Sequence, residues 1–426
     1  MVKSKLGNWI IALSVVVYVA LWFTFIPEGG IAAQAGDFFG EMLAGSAMIL
    51  MGFGILLSTK PRWLEPYFGG LDKMYWTHRQ VAIIGFLLLI GHFYAIPTGP
   101  TPGPGLWIGQ AAFFGIVISI LLAVAPRVPF ISNFIKLSYD KWRIGHRVLG
   151  LLFLMGIIHY LMVEPLSMAT PQGVWMMIIA VIGVLAWLYK QTLAHRYTPY
   201  LEYEVVETNR LNGSIIELVM KPLGDKLKHA AGQFLFIHFE NDDVLKEPHP
   251  FTISSSPDAD ELRISVRNSG DWTGYLFDHV ETGMVASIEG GHGMFDYKAS
   301  RNDQIWIAGG IGITPFTSWM RDLAANPSAD KKIDFFYTVR SSSDVIFFDE
   351  FEAAAKEHPN LSAHLRVSND KGRLTAANVK ATVSGDISKR SVYLCGPVRM
   401  VEGFADAFKR MGVPAENIHF EEFNFR

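Results

Sequence analysis

Within its first 190 residues this chain carries six apolar stretches, each near the length needed to cross a bilayer, and no other feature narrows its folds so far. Crossing a hydrocarbon layer takes about 20 apolar residues in a helix. The candidates are residues 9–26, 39–58, 76–96, 107–125, 145–163 and 173–190. A lipid-embedded backbone must satisfy its own hydrogen bonds, so these runs read as helices. The first is taken as an uncleaved span: MVKSK precedes it, and no small-residue cleavage site follows closely. Lys and Arg fall before the first span, in the second and fourth connections and after the last span, while the first, third and fifth connections have none. With an even number of spans, that asymmetry predicts a multi-pass protein of the cell membrane with both termini cytoplasmic.

The remaining half has a different composition. Only 18% of the 426 residues are charged and half are hydrophobic, yet most acids and bases lie beyond residue 200. A net charge of −3 gives no basic field for nucleic acid. The single cysteine, Cys395, excludes an intramolecular disulfide and a thiolate cluster.

Histidine is expensive inside a membrane and usually functional there. Within the predicted spans it occurs only in the third, as His78 and His92, and in the fifth, as His146 and His159. Those two spans run in the same direction, so the four imidazoles form two levels: His78 with His146 near the cytoplasmic face, His92 with His159 further out. Fourteen and thirteen residues separate the levels, about 21 and 20 Å at the helical rise. Two stacked hemes fit this pattern, each with both axial positions filled by imidazole, which favours outer-sphere electron transfer. One detail resists: thirteen residues leave two side chains about 140° apart around an ideal helix. Arg79 and Arg147, each beside an early histidine, suit heme propionates or simply mark the positive-inside face.

After residue 199 the pattern alternates, as in GSIIELVMK, QFLFIHFE and ELRISVRN, and predicts a small antiparallel barrel. From about residue 303, strand-like runs alternate with helical stretches, as a parallel nucleotide-binding sheet requires. IWIAGGIGITPF is a buried strand that turns through Gly309, Gly310 and Gly312 into a helix, the context in which a glycine turn lets the backbone approach a pyrophosphate. VRNSGDWTGYL offers Arg267 and Thr273 beside Gly270 as a phosphate-binding set. In TVRSSS, Arg340 and Ser341 follow the second strand of this region, where a 2′-phosphate would lie, and predict a preference for NADPH over NADH.

Taken together, these motifs resemble the NADPH oxidase and ferric reductase family over nearly the whole chain. The fold class implied is a membrane all-α six-helix heme domain at 1–198, a β-barrel FAD domain at 199–300 and an α/β NADP(H)-binding domain at 301–426. HPFT resembles the family's flavin motif, implying that His249, Pro250, Phe251 and Thr252 border the isoalloxazine and ribityl chain of FAD. RNSGDWT resembles its flavin-pyrophosphate segment and implicates Arg267, Trp272 and Thr273. GGIGITPF, with Gly309, Gly310, Gly312, Thr314 and Pro315, resembles the nicotinamide-dinucleotide turn. LCGP resembles the nicotinamide-side motif, placing Cys395, Gly396 and Pro397 near the hydride path. The terminal EEFNFR is similar to an aromatic ending that shields the flavin, and Phe425 is favoured over Phe423 for that role. The histidine spacings match the family as well.

The resemblance implies FAD, NADPH and two b-type hemes as cofactors, with axial ligands His78, His92, His146 and His159. The activity expected is transfer of electrons from cytoplasmic NADPH to extracytoplasmic dioxygen, giving superoxide. No obligatory protein partner is expected. The outward connections lack the positive residue that oxygen-reducing relatives commonly place there, so two alternatives stay open: a ferric reductase acting on a ferric chelate, with Glu28, Asp37, Glu41 and Glu164 gathering cations, or a relay subunit serving an extracytoplasmic protein.

Overall fold

A computed structural model describes residues 3–26, 30–96, 103–124, 139–197, 200–300, 303–326 and 331–421, with nothing said of the side chains at 3, 33, 124, 139–144 and 195. The chain divides into two compact units, one holding residues up to Tyr197 and the other the residues beyond it together with Gly69–Asp72.

Six helices of the first unit are long and apolar enough to cross a membrane. They are α1 (Leu6–Thr24), α2 (Ala35–Leu57), α3 (Leu71–Ala95), α4 (Pro104–Val124), α5 (Tyr139–Met162) and α6 (Pro171–Thr192). α3 and α5 begin five or six residues before the apolar runs that predict them. Hydropathy finds only the lipid-facing part of a helix, and the polar lead-ins LDKMY and YDKWRI continue it without an apolar signal. Helices in lipid associate through close packing rather than through water exclusion. α2 and α6 pack this closely, because a Cβ on Gly183 would stand 2.9 Å from the Cα of Gly52. Around this crossing Phe38, Ile49, Phe153, Ile157, Met176 and Ile179 form an apolar core with Tyr18 and Trp22 of α1.

In the second unit, strands β1 (Leu201–Asn212), β2 (Ile215–Pro222), β3 (Phe234–His238), β4 (His249–Thr252), β5 (Leu262–Arg267) and β6 (Val285–His292) form a sheet of order β4-β3-β6-β1-β2-β5. Its pairings are antiparallel, and an antiparallel bridge between Ile253 and Ile264 joins the two edges. The predicted barrel is therefore closed. Alternate residues fill it, among them Leu218, Leu235, Ile237, Ile264, Val266 and Ile288. Helix α7 (Asp271–His279) follows β5 and packs Trp272 and Leu276 on the same core.

Beyond the barrel, β7 (Gln304–Gly309), β8 (Ile333–Val339), β9 (Leu361–Val367), β10 (Ser391–Cys395) and β11 (Ile418–Phe420) make a parallel sheet of order β11-β10-β7-β8-β9. Helices α8 (Thr314–Ala325), α9 (Phe348–Glu357), α10 (Ala376–Thr382) and α11 (Val398–Arg410) cover it. Strand alternation splits the apolar side chains between two cores: Trp306 and Ala308 face Phe316, Trp319 and Phe351, whereas Ile305 and Ile307 face Val379, Phe404 and Phe408. Burial on both faces is why these strands read as continuous apolar runs.

Candidate functional site

The parallel sheet changes direction between β7 and β10: the chain builds outward from β7 through β8 to β9, then returns to place β10 on the other side. Ligands of open α/β sheets sit at such a switch point, beyond the carboxyl ends of the strands. Here β7 ends at Gly309 and β10 at Cys395, in register through Ala308 and Cys395. The glycine turn lies in that crevice. Gly310 has φ +56°, and a Cβ on Gly312 would stand 2.5 Å from the Cys395 carbonyl oxygen. The turn delivers the chain into α8, with Thr314 and Pro315 in its first turn and Thr314 Oγ1 donating to the Ile311 carbonyl at 3.1 Å. The exposed N–H groups and dipole of a helix start favour a phosphate.

Arg267 supplies the opposite charge. It ends β5 of the barrel, is exposed, and places Nη1 3.7 Å from the Cβ that Gly310 would carry. The same guanidinium acts on the buried Tyr337 of β8, whose phenol burial pushes up while Arg267 pulls it the other way. Arg267 and the glycine turn are thus brought together from different domains. Thr273 instead braces its own loop, where its Oγ1 accepts the N–H groups of Ser269 and Gly270, both at 3.0 Å, and shapes the start of α7.

The two flavin-like segments meet through Trp272. His249 stacks on it at 4.2 Å between centroids and Phe251 at 5.7 Å, while His249 Nδ1 donates to the Glu247 carbonyl at 2.9 Å. Strand alternation turns Pro250 and Thr252 the other way, onto the face of their register partners Phe236 and Phe234. The four residues of HPFT therefore present side chains on two sides of one short strand. Phe234, Phe236 and fully buried His292, whose Nε2 lies 3.2 Å from Glu289 Oε1, extend that second face. Sequence reading missed them, although QFLFIHFE carries the two phenylalanines at alternate positions.

At the crevice Cys395 is buried, and burial, with the Glu421 charge nearby, pushes its thiol up, so it stays protonated at neutral pH. Gly396 and Pro397 follow it and lead into α11. Arg340 is exposed at the end of β8. Ser341 is engaged locally, its N–H donating to Asp344 Oδ2 at 3.0 Å. Phe423, Phe425 and Glu28 lie outside the described residues.

In the first unit the four span histidines come together as two pairs. The rings of His78 and His146 are 6.2 Å apart at 68°, and those of His92 and His159 are 6.4 Å apart at 66°. The thirteen-residue offset is absorbed without a break, since α5 is helical throughout. Backbone carbonyls accept from three of the rings: Gly54 from His78 Nδ1 at 2.7 Å, Gly40 from His92 Nδ1 at 3.0 Å and Gly105 from His159 Nδ1 at 2.8 Å. A carbonyl only accepts, so each Nδ1 carries the proton and Nε2 keeps its lone pair, as a metal ligand requires.

These pairs fit heme iron. With a metal–nitrogen bond of about 2 Å, and each ring centre about 1 Å further, two axial imidazoles have centroids about 6 Å apart. Among the described residues no three or more His, Cys, Asp or Glu side chains gather as a metal site. A metal held by either pair would find no third such side chain among the described residues, and a porphyrin could supply the remaining ligands.

Comparisons with known proteins agree with the second unit. Residues 200–303 match the FAD-binding domain family, and residues 306–406 match the oxidoreductase NAD-binding domain family. The ferredoxin reductase component of 3-ketosteroid-9-alpha-monooxygenase from Mycobacterium tuberculosis is 27% identical over 201 residues, covering 46% of this chain and 56% of that protein. The carnitine monooxygenase reductase subunit of Escherichia coli is 31% identical over 178 residues, covering 41% and 52%. The chain thus spans about half the length of the curated relatives it matches. A flavohemoglobin from Malassezia yamatoensis with bound FAD and heme shares the fold at TM-score 0.51 and 18% identity, over 92% of this chain and 97% of that one. Over residues 200–303 and 306–406 the C-terminal half of the chain is thus similar to FAD-binding domains and to oxidoreductase NAD-binding domains.

Proposed function

We propose that this chain is a transmembrane NAD(P)H oxidase, carrying electrons from cytoplasmic NADPH through FAD and two b-type hemes to dioxygen on the far side and producing superoxide. The observation that carries this reading is the presence, on the chain that bears the flavin and nicotinamide module, of two imidazole pairs at heme-ligand separation. FAD supplies the conversion between the two-electron donor and one-electron acceptors. Bis-imidazole iron supplies one-electron transfer without an open coordination site.

The chain's own residues have these roles. Residues 1–198 form the heme domain, 199–300 the FAD domain and 301–426 the NADP(H) domain. His249, Pro250, Phe251, Thr252 and Trp272 hold the flavin, and Phe425 covers its exposed face. Arg267, with the loop that Thr273 shapes, neutralises a pyrophosphate. Gly309, Gly310 and Gly312 let the dinucleotide approach the backbone at the start of α8, with Thr314 and Pro315 setting that start. Cys395, Gly396 and Pro397 border the nicotinamide, where a protonated thiol fills space without adding charge. Arg340 and Ser341 receive the 2′-phosphate.

One observation favours a second reading, relay to a partner protein: several of the matched relatives are reductase or electron transfer components of monooxygenases and dioxygenases. The ferric reductase reading loses one of its cation-gathering acids, because the Glu41 carboxylate is bonded to the chain itself. Heme quantification on the purified chain tests the proposal. Two low-spin hemes per chain are expected, with about half the heme absorbance lost in His159→Ala while flavin reduction by NADPH survives. Two hemes retained in that variant would refute the pairing. Purified protein given only NADPH and oxygen separates oxidase from relay, since a relay consumes little of either without its partner.

A further inference from the structure

The outer imidazole pair is tied to a single carboxylate. Glu41 lies on α2, in a segment apolar enough to span a membrane, where an ionisable side chain costs free energy unless it is well bonded. Its carboxylate accepts the N–H of Leu166 at 2.7 Å, the N–H of Ser167 at 3.0 Å and the hydroxyl of Ser167 at 2.8 Å. Three of about four acceptor positions are thus spent on the connection between α5 and α6.

From Glu41 two paths lead to the outer pair. On one side its neighbour Gly40 accepts from His92 Nδ1 at 3.0 Å. On the other, Ser167 Oγ stands 3.4 Å from the hydroxyl of Tyr160, which adjoins His159 on α5. Tyr18 steadies the corner by donating to the Glu41 carbonyl at 3.1 Å. His92, Gly40, Glu41, Ser167, Tyr160 and His159 thereby form a chain of bonds that starts on one imidazole and ends on the other. His78, by contrast, is held by Gly54, whose sequence neighbours Phe53 and Ile55 are apolar and carry no carboxylate. Groups bonded to a ligand's second nitrogen set its orientation and basicity.

We propose that Glu41 is a positioning residue for the outer histidine pair, clamping α2 to the α5–α6 connection so that His92 and His159 face one iron. This rests on the heme reading above. The test uses the purified full chain and its Glu41→Ala, Glu41→Gln and Tyr160→Phe variants, with low-temperature electron paramagnetic resonance and a redox titration of both hemes. The signal lost in His159→Ala identifies the outer heme. In Glu41→Ala the outer heme's low-field signal and midpoint potential should shift, or that heme should be lost, while the inner heme keeps the wild-type values. Glu41→Gln, which retains a carbonyl acceptor, should shift less. Wild-type behaviour of the outer heme in Glu41→Ala, or an equal shift of both hemes, overturns the proposal. Should Glu41→Ala fail to assemble, Tyr160→Phe removes only one hydroxyl, and an unmoved outer signal there overturns it equally. A wild-type chain without bis-imidazole heme signals would instead sink the underlying reading, and this inference with it.

Discussion

Gly312→Ala probes the nucleotide crevice most sharply. The added Cβ would lie 2.5 Å from the Cys395 carbonyl oxygen, 2.6 Å from its carbon and 2.7 Å from the Gly396 nitrogen. All three are backbone atoms at the end of β10, so no side chain can swing aside, and ordinary contact begins at 3.4 Å. The turn and the strand must therefore separate by nearly an ångström, in the place where the nicotinamide half of the dinucleotide is proposed to lie. Overpacking of this kind costs about 1–3 kcal/mol. If that strain falls on the nucleotide-competent geometry, NADPH affinity drops about 5- to 150-fold. The assay is NADPH titration of flavin reduction in the purified chain, with heme and flavin content measured in parallel. Weakened NADPH binding with unchanged cofactor content is expected. Gly403→Ala is the control: its Cβ meets nothing within 4 Å, and alanine suits an interior position of α11. Wild-type NADPH affinity in Gly312→Ala would refute the placement of the nucleotide in this crevice.

Two further perturbations test other parts of the account. Arg340→Ala should lower the NADPH to NADH efficiency ratio at least about tenfold, since a bidentate phosphate contact is lost; an unchanged ratio in steady-state kinetics removes Arg340 from the 2′-phosphate site. Burial pushes the Asp334 carboxyl up, but the contacts from His364 and from Arg390, at 2.6 Å, bring it below the usual carboxylate range. A depressed folded-state value stabilises fully above the unfolded pKa, about 3.9, and that contribution fades as pH falls through the lower folded value. Asp334→Asn should therefore cost about 3–5 kcal/mol at neutral pH by stranding the buried Arg390, and should flatten the acid limb of unfolding below about pH 4. Thermal unfolding followed between pH 3 and 7 reads both, and equal losses at both ends would contradict the linkage.

What the sequence made legible was what short-range pattern encodes. Apolar length showed the six helices, period-two alternation the barrel strands, and the strand–glycine–helix order the tight turn from β7 into α8. The histidine spacing predicted two levels, and the structure pairs the rings at both although ideal geometry opposed the thirteen-residue interval. Meetings between distant segments stayed hidden. Nothing local brings Arg267 to Gly310, or Trp272 onto His249, because barrel closure and domain packing decide both. Thr273, read as a phosphate ligand, has its hydroxyl occupied by the backbone of its own loop, a competition that composition does not reveal. Glu41 read as a cation-gathering acid for the same reason, since its partners Leu166 and Ser167 lie more than a hundred residues away.

The central claim is that electrons from NADPH cross the bilayer and leave as superoxide. Its most direct test is the purified chain in liposomes with the nucleotide domain facing out and cytochrome c trapped inside. NADPH added outside should reduce the trapped cytochrome, lumenal superoxide dismutase should abolish the signal, and His159→Ala should show none. If His92 and His159 hold the outer heme as proposed, they would leave oxygen no free site on the metal, and oxygen would be expected to leave after taking one electron. A dismutase-insensitive signal, with efficient reduction of a trapped ferric chelate in the absence of oxygen, would contradict the oxidase and identify a reductase instead.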